Sequence, residues 1–404
     1  MLRFLECLTI TILIGSVDIS SKLILNSLED VLKDNDVDYS RLKEEAELIS
    51  STRKISKRCP EVEEIEELFQ VWIQTQDGLK KEHIETSTYV DTIDDSTRIH
   101  NALDPWIYSD IVIRPLLNCV DAAHPVLLKH LKDRILHEPS SSSYNWSTSQ
   151  PSLGGQFGQP RFLDMVIFKG KVKNGFFIEA GADDFESDSN SVYFELKHDW
   201  SGILVEPNPT IFTLGLSKGR KAWSAGTCLG LTDKPSISHF SQKAIEDGMA
   251  GLVPEENDNS FKIQCFPLYS LILATGNRTV NYLSLDIEGA EFQVLKSIPW
   301  NKVDIEVLTV ETNHAGQIFP GSQEELRQYM KEKGYVLAYT VDIDDVFVRK
   351  DLYEGKYKPD LNMIKKFEKL YSSSCDWDGN GRVEFYRIVT QALHNRSRHI
   401  SSTS

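Results

Sequence analysis

Four apolar runs of the chain end in acidic side chains, and acids so placed are suited to gripping hydroxyls and moving protons. The first run is Phe176-Phe177-Ile178-Glu179-Ala180-Gly181-Ala182-Asp183-Asp184. It closes on Glu179 and opens into a small-residue turn. There Gly181 lets backbone approach a ligand, and Glu179 can hold an ammonium group or a bound water. The second run, Ser201 to Pro209, puts Glu206 at a strand end 25 residues after Gly181. That is where a carboxylate accepts both hydroxyl protons of a ribose. The third, Asn281 to Glu291, gathers Asp286, Glu288 and Glu291 ahead of a helix carrying Phe292, Val294 and Leu295. Carboxylates grouped in this way can orient an acceptor hydroxyl or act as a base. The fourth, Leu308 to His314, adds Glu311 and His314. His314 is the best-placed general base; the competing reading is a surface histidine without a role.

These acids meet only if their strands lie side by side. Apolar runs at 176–180, 202–205, 222–229, 282–285, 303–310 and 336–340 alternate with helical periodicity at 190–197, 210–218, 290–297 and 323–333. Such alternation predicts βαβ units and a buried parallel sheet, with ligands outside the carboxyl ends of the strands. Residues 342–349 follow a turn and make a last strand, expected antiparallel.

With 404 residues and 40% hydrophobic content, the chain can build one substantial core and more. Its net charge of −16 argues against nucleic acid as a partner. At the N-terminus, Arg3 precedes an apolar run from Cys7 to Val17, shorter than the ~20 residues of a spanning helix. The readings, in order, are a removable signal peptide, an uncleaved anchor that would bring membrane association, and a buried helix. The first two place the rest of the chain in the secretory lumen. Acceptor triplets for glycosylation at Asn145, Asn277 and Asn395 fit that compartment.

The expected organisation is a leader over 1–20, a helical or stalk region over 21–137, and a Ser/Gly/Pro-rich linker or covering loop over 138–160. The sheet domain then spans 161–350 and an extension 351–404. Within the stalk, Val62, Ile65, Leu68 and Phe69 form one helical stripe. Cysteines beyond the leader are Cys59, Cys119, Cys228, Cys265 and Cys375. Cys228 and Cys265 lie in apolar, strand-like surroundings and read as buried thiols. With neither a CxxC nor a Cys/His cluster, no metal site is expected. Asp376 to Val383 imitates the start of a calcium loop, but the twelfth position is Arg387, so the segment reads as a Gly-rich turn.

The segments Phe177 to Ala182, Leu204 to Asn208 and Ser284 to Glu291 together resemble the FkbM family of S-adenosylmethionine-dependent O-methyltransferases, over roughly residues 175–349. Ser189 to Glu195, Cys265 to Leu271 and Val310 to His314 are most similar to its animal Star-like branch. The resemblance implies a Rossmann-like class I methyltransferase sheet, mostly parallel with its last strand antiparallel. S-adenosylmethionine would lie over Glu179, Gly181, Asp183, Glu206 and Asn208, with Asp286, Glu288 and His314 facing the acceptor. In the family the turn continues with glycine where this chain has Phe185. The branch is associated with the endoplasmic reticulum and Golgi and with traffic through them. Two functions follow: methyl transfer to an oxygen of a glycan, lipid or small molecule, or a non-catalytic module that escorts secretory cargo protein.

Overall fold

The computed structural model describes residues 116–149, 151–241, 250–257 and 260–374. The expected leader, the stalk as far as residue 115, the Asn395 triplet and the calcium-loop lookalike lie outside these residues. The chain divides into two compact units, residues 1–127 with 234–236, and residues 128–233 with 237–404. In the first, Leu116, Leu117 and Val120 are buried, and Lys234 reaches Asp121 at 3.6 Å.

The second unit is a mixed α/β body built on an eight-stranded sheet in the order β1-β4-β3-β2-β9-β10-β12-β11. Its strands are β1 (Leu136–His137), β2 (Phe176–Ala180), β3 (Ser201–Val205), β4 (Trp223–Ala225), β9 (Tyr282–Leu285), β10 (Val307–Glu311), β11 (Tyr335–Val341) and β12 (Asp344–Arg349). Strands β2, β9 and β10 are buried along their whole length. That is the condition of central strands covered on both faces, and it is why they read as continuous apolar runs. From β4 through β10 the neighbours run parallel, whereas β12 is inserted antiparallel between β10 and β11. Without β1 and β12 the order is that of a doubly wound sheet, which reverses direction between β2 and β9. This architecture is compatible with a methyltransferase fold.

Helices Val192–His198, Pro209–Leu216, Glu291–Ser297 and Gln323–Glu332 occupy the crossovers, each within two residues of the periodic segments read from the sequence. An aromatic core lies against the sheet. Phe162 stacks on Tyr339 at 4.5 Å and meets Phe367 edge-on at 5.2 Å, while Phe194 stacks on Trp200 at 4.6 Å. Burying each such side chain stabilises the fold by roughly 1.5–3 kcal/mol. No helix among the described residues is long and apolar enough to cross a membrane.

Two features differ from the sequence reading. The apolar run at 222–229 is broken at Gly226 and Thr227, so that β4 joins the large sheet while β5 (Cys228–Leu229) joins a second one. That sheet has the order β5-β8-β6-β7, with β6 at Ser236–Ser241, β7 at Leu252–Val253 and β8 at Ser260–Phe266. Cys228 and Cys265, expected as buried thiols, are instead disulfide-bonded; β5 and β8 pair in parallel with these two residues in register, their Cα atoms 4.5 Å apart. Cys119 is disulfide-bonded as well.

The Cys228–Cys265 bridge closes a loop across a sequence separation of 37 residues. Opening a loop of that length is expected to cost about 3–4 kcal/mol through the entropy of the unfolded chain. Denaturant unfolding of Cys228→Ala/Cys265→Ala against the parent chain reads this directly. An unchanged midpoint would show that the bridge adds nothing.

Candidate functional site

The switch between β2 and β9 is marked by a backbone contact. Gly181 follows β2 with φ +79°, and a Cβ at this position would lie 1.7 Å from the Asp286 carbonyl oxygen. Asp286 N donates to Ala180 O at 3.1 Å, while Gly181 N and Ala182 N both donate to Val205 O at 3.1 Å. The loops after β2, β3 and β9 are thereby locked together at one edge of the sheet. A side chain at 181 would force the first and third apart, so this glycine serves packing between loops before it serves any ligand.

Glu179 is buried at the tip of β2. Its carboxylate accepts from Ser189 Oγ at 2.8 Å, Ser191 Oγ at 2.5 Å and Asn190 N at 2.5 Å. Both oxygens are thus engaged by the turn leading into helix Val192–His198. Burial pushes its carboxyl upward, against the opposing pull of Arg220 and these donors. Arg220 is the centre of the network. It bonds Glu195 Oε2 at 2.9 Å, Ser191 Oγ at 2.8 Å and the Phe185 carbonyl at 2.5 Å. The Arg220 and Glu195 side chains are each 1% exposed.

Glu206, at the tip of β3, accepts from Asp183 N at 3.2 Å and from Asn208 N at 2.7 Å. One backbone donor on each oxygen leaves lone pairs on both. Burial pushes its carboxyl up to about 7, with Asp183 adding to the rise. Gly181 and Asp183 are exposed beside it. Asn208 turns elsewhere: its Oδ1 caps helix Pro209–Leu216, accepting from Thr210 N at 3.0 Å and Ile211 N at 3.3 Å.

Phe185 takes a left-handed conformation with φ +64°, between Asp183 at +46° and Asp188 at +52°. Its ring does not occupy the turn. It is fully buried, edge-on to Phe212 at 5.8 Å, and lies where a side chain at Gly215 would otherwise be. The acids around it are largely satisfied. Lys218 Nζ reaches Glu186 at 2.7 Å and Asp184 at 3.7 Å, and Ser147 N donates to both Glu186 oxygens. Burial acts to raise Asp184, but the N–H groups of Ser187 and Glu186 bring it below the usual carboxylate range.

The β9–β10 side of the edge is different. Glu288, with φ +58°, and Glu311 both face His314 Nδ1, at 3.2 and 3.1 Å. Glu291 Oε1 accepts from Ile287 N at 2.8 Å and Gly289 N at 3.1 Å, closing the loop beneath them. Burial pushes Glu288 and Glu291 up to about 7, and Asp286 adds to both. Burial followed by repulsion from Asp286, Glu291 and Glu288 pushes Glu311 up to about 10. Among the described residues, neither lysine nor arginine pairs with any of these carboxylates.

The structure therefore brings Asp286, Glu288, Glu311 and His314 together and places Gly181, Asp183 and Glu206 in an adjacent group. Glu179 and Asn208 spend their side chains on neighbouring backbone and hydroxyl groups. Several residues of the edge escaped the sequence reading. Asp344, paired in register with Glu311, accepts from Gln159 Nε2 at 2.5 Å and is pushed up to about 7 by burial. Ser189, Ser191 and Arg220 gave no signal of their own in a single sequence.

Residues 179–337 match the family model of the methyltransferase FkbM domain. The match begins at Glu179, ends in β11, and includes Glu179, Glu206, Asp286, Glu288 and Glu311, while Asp344 lies beyond it. No curated protein matches the chain. Among solved structures, a match is found to the methyltransferase subunit of a type I restriction-modification system from Streptococcus thermophilus. It has 12% identity, covers 93% of this chain and 87% of that one, and has a TM-score of 0.23. At that score the likeness carries no argument about architecture.

Removing one partner of a buried ion pair leaves the other charged and desolvated, at a cost of about 3–5 kcal/mol. Arg220→Ala is expected to lower unfolding stability by that amount. Lys129→Ala, which breaks an exposed 2.6 Å pair with Asp133, should change it by less than about 1 kcal/mol. Denaturant titration of the two variants compares them. Equal effects would remove Arg220 from the centre of the network.

Proposed function

We propose that the sheet domain transfers a methyl group from S-adenosylmethionine to an oxygen of an acceptor, within the secretory pathway. The observation that carries this reading is the joined edge at the switch point. There Glu206, with lone pairs free on both oxygens, stands beside the exposed turn at Gly181 and Asp183. A ribose needs such a carboxylate with a backbone approach next to it, so the residues present fit the cofactor. The match to the FkbM domain supports methyl transfer as the chemistry. S-adenosylmethionine, when bound, supplies an electrophilic methyl group on a sulfonium.

The chain's own residues then have separate tasks. Glu206 holds the ribose hydroxyls, and Gly181 and Asp183 line the approach. Glu179 and Arg220 hold the shape of the turn, and Asn208 the helix that follows it; these three are positioning residues. Asp286, Glu288 and His314 face the acceptor. Methyl transfer depends chiefly on holding the acceptor oxygen in line with the donor, so positioning outweighs strong proton transfer. A carboxylate or imidazole within reach of the hydroxyl takes its proton as the new bond forms.

Secretory residence is supported by the Cys228–Cys265 and Cys119 disulfides, since such bonds persist in oxidising compartments. Asn145 and Asn277 are exposed, as glycosylation would require. The acceptor class drawn from the resemblance is a glycan, a lipid or a small molecule bearing a hydroxyl or carboxyl group.

Calorimetric titration with S-adenosylmethionine should give one saturable site, weakened about 10- to 100-fold in Glu206→Ala through loss of a charged acceptor. Because the ribose grip needs the carboxylate, binding should tighten as pH rises from 6 to 8 through the raised pKa of Glu206. Failure to bind at millimolar ligand would sink the cofactor reading. For the compartment, glycosidase digestion of the full chain expressed in animal cells should increase its gel mobility. Asn145→Gln/Asn277→Gln should remove the part of that shift due to these two sites. A product indifferent to glycosidase would overturn the luminal assignment.

A further inference from the structure

The β9–β10 side brings together more acidic groups than the network around them can pair. Glu288 Oε2, Glu311 Oε2 and His314 Nδ1 are all buried and none has an aligned hydrogen-bond donor or acceptor, and the group hydrogen-bonded to the Glu311 carboxyl is a second acid, Asp286. Three orphaned atoms at one point is unusual, because a buried polar atom left unpaired costs about 1–3 kcal/mol. The Glu311 side chain is 3% exposed, so water does not relieve it from outside. His314 Nδ1 lies 3.2 Å from Glu288 Oε2 and 3.1 Å from Glu311 Oε1, without alignment as a hydrogen bond to either. An imidazole nitrogen has one proton or one lone pair to offer and cannot satisfy both.

Those separations suit a different arrangement. Ligands about 2.1 Å from a six-coordinate divalent cation sit roughly 3 Å from one another when adjacent. Ligand atoms of Glu288, Glu311 and His314 all lie within 4.8 Å of one another. Asp286 and Glu291 form a second such group with Glu311, adding negative charge behind it. Glu291 already spends Oε1 on Ile287 N and Gly289 N, which fixes it as support for the loop.

We infer that Glu288, Glu311 and His314 form a binding site for a divalent cation at the carboxyl ends of β9 and β10. Two carboxylates and one imidazole suit a metal of the manganese type, which takes oxygen donors and tolerates nitrogen. Three protein ligands leave coordination positions open, as in sites that polarise a bound oxygen. The site itself does not depend on S-adenosylmethionine. Only its use, holding the acceptor oxygen and easing loss of its proton, rests on the methyl-transfer reading. The competing way to settle the same charge is a proton shared between Asp286 and Glu311, which would leave the cluster with no affinity for metal.

The test is titration of the chelator-treated full chain with Mn²⁺, followed by the loss of the free-ion electron paramagnetic resonance signal. One saturable site in the micromolar range is expected. Glu311→Gln, which keeps the shape of the buried side chain, should weaken it at least tenfold. His314→Gln, at a partly exposed position, should do the same. Asp188→Asn, an exposed acid outside the cluster, should leave it unchanged. Absence of saturable binding at millimolar Mn²⁺, or binding that survives both Glu311→Gln and His314→Gln, overturns the inference. Titration of the same preparations with S-adenosylmethionine separates this outcome from failure of the cofactor reading, since that site depends on Glu206 and not on Glu311.

Discussion

Arg220 is the interaction on which the shape of the candidate site rests. One buried guanidinium ties the Phe185 carbonyl, the Ser191 hydroxyl and Glu195 into a single unit. Ser189 and Ser191 in turn hold Glu179. The turn between β2 and its helix contains three non-glycine residues in the left-handed region, which the backbone would not adopt unaided. A buried ion pair is a costly way to stabilise a protein, because desolvation offsets much of the attraction. Here its value is geometric: a planar fork with several donors can meet acceptors from three directions at once. Glu179 is consequently used up in building the turn, whereas Glu206 keeps lone pairs on both oxygens.

Phe185 shows how a departure at one position is absorbed at another. A glycine at 185 would cost nothing in a left-handed turn, whereas a phenylalanine stores strain of order 1–3 kcal/mol. Its ring is fully buried against Phe212 and fills the space that Gly215 leaves open. Burial of an aromatic side chain offsets that strain. Lys218 acts likewise on the charges, drawing Asp184 and Glu186 out of the crowd and leaving Asp183 and Asp188 exposed. The turn keeps an open, moderately charged face in spite of its sequence.

What could be read beforehand follows from periodicity. Continuous apolar runs at β2, β3 and β9, and a final run after a turn at Asp342, gave the parallel strands and the antiparallel β12. Helix periodicity gave the crossovers. Short strands were harder: β5 and β7 hold two residues each, too few to show a period, so the second sheet went unseen. The Cys228–Cys265 bond was illegible for the same reason, because only pairing of β5 with β8 brings the two sulfurs together. Among site residues, strand-tip acids announced themselves, but their orientation did not. Glu179 and Glu206 look alike in sequence, yet one is enclosed by serines from its own loop and the other faces a neighbouring turn. Arg220 sits in Ser217-Lys218-Gly219-Arg220-Lys221, which reads as a solvated stretch although Arg220 and Lys218 are both buried.

The two halves of the edge handle negative charge in opposite ways, and this contrast bears on what they can bind. Around β2 and β3, Glu179, Asp184, Glu186 and Glu195 each find hydroxyl, N–H or cationic donors within the chain. That half is preorganised, so a ligand meeting it through Glu206 pays little reorganisation. Around β9 and β10, Asp286, Glu288 and Glu311 face one another with His314 as the imidazole among them, and their carboxyls are pushed upward together. Such a cluster is stable only when something positive joins it, whether protons, a metal ion or a cationic ligand. A fold selected for stability alone would replace one of these acids with an amide or an apolar residue. Their presence at the tips of adjoining strands, next to a preorganised half that needs no such supplement, suits β9 and β10 to charge-dependent chemistry and β2 and β3 to recognition, in keeping with the roles proposed for them.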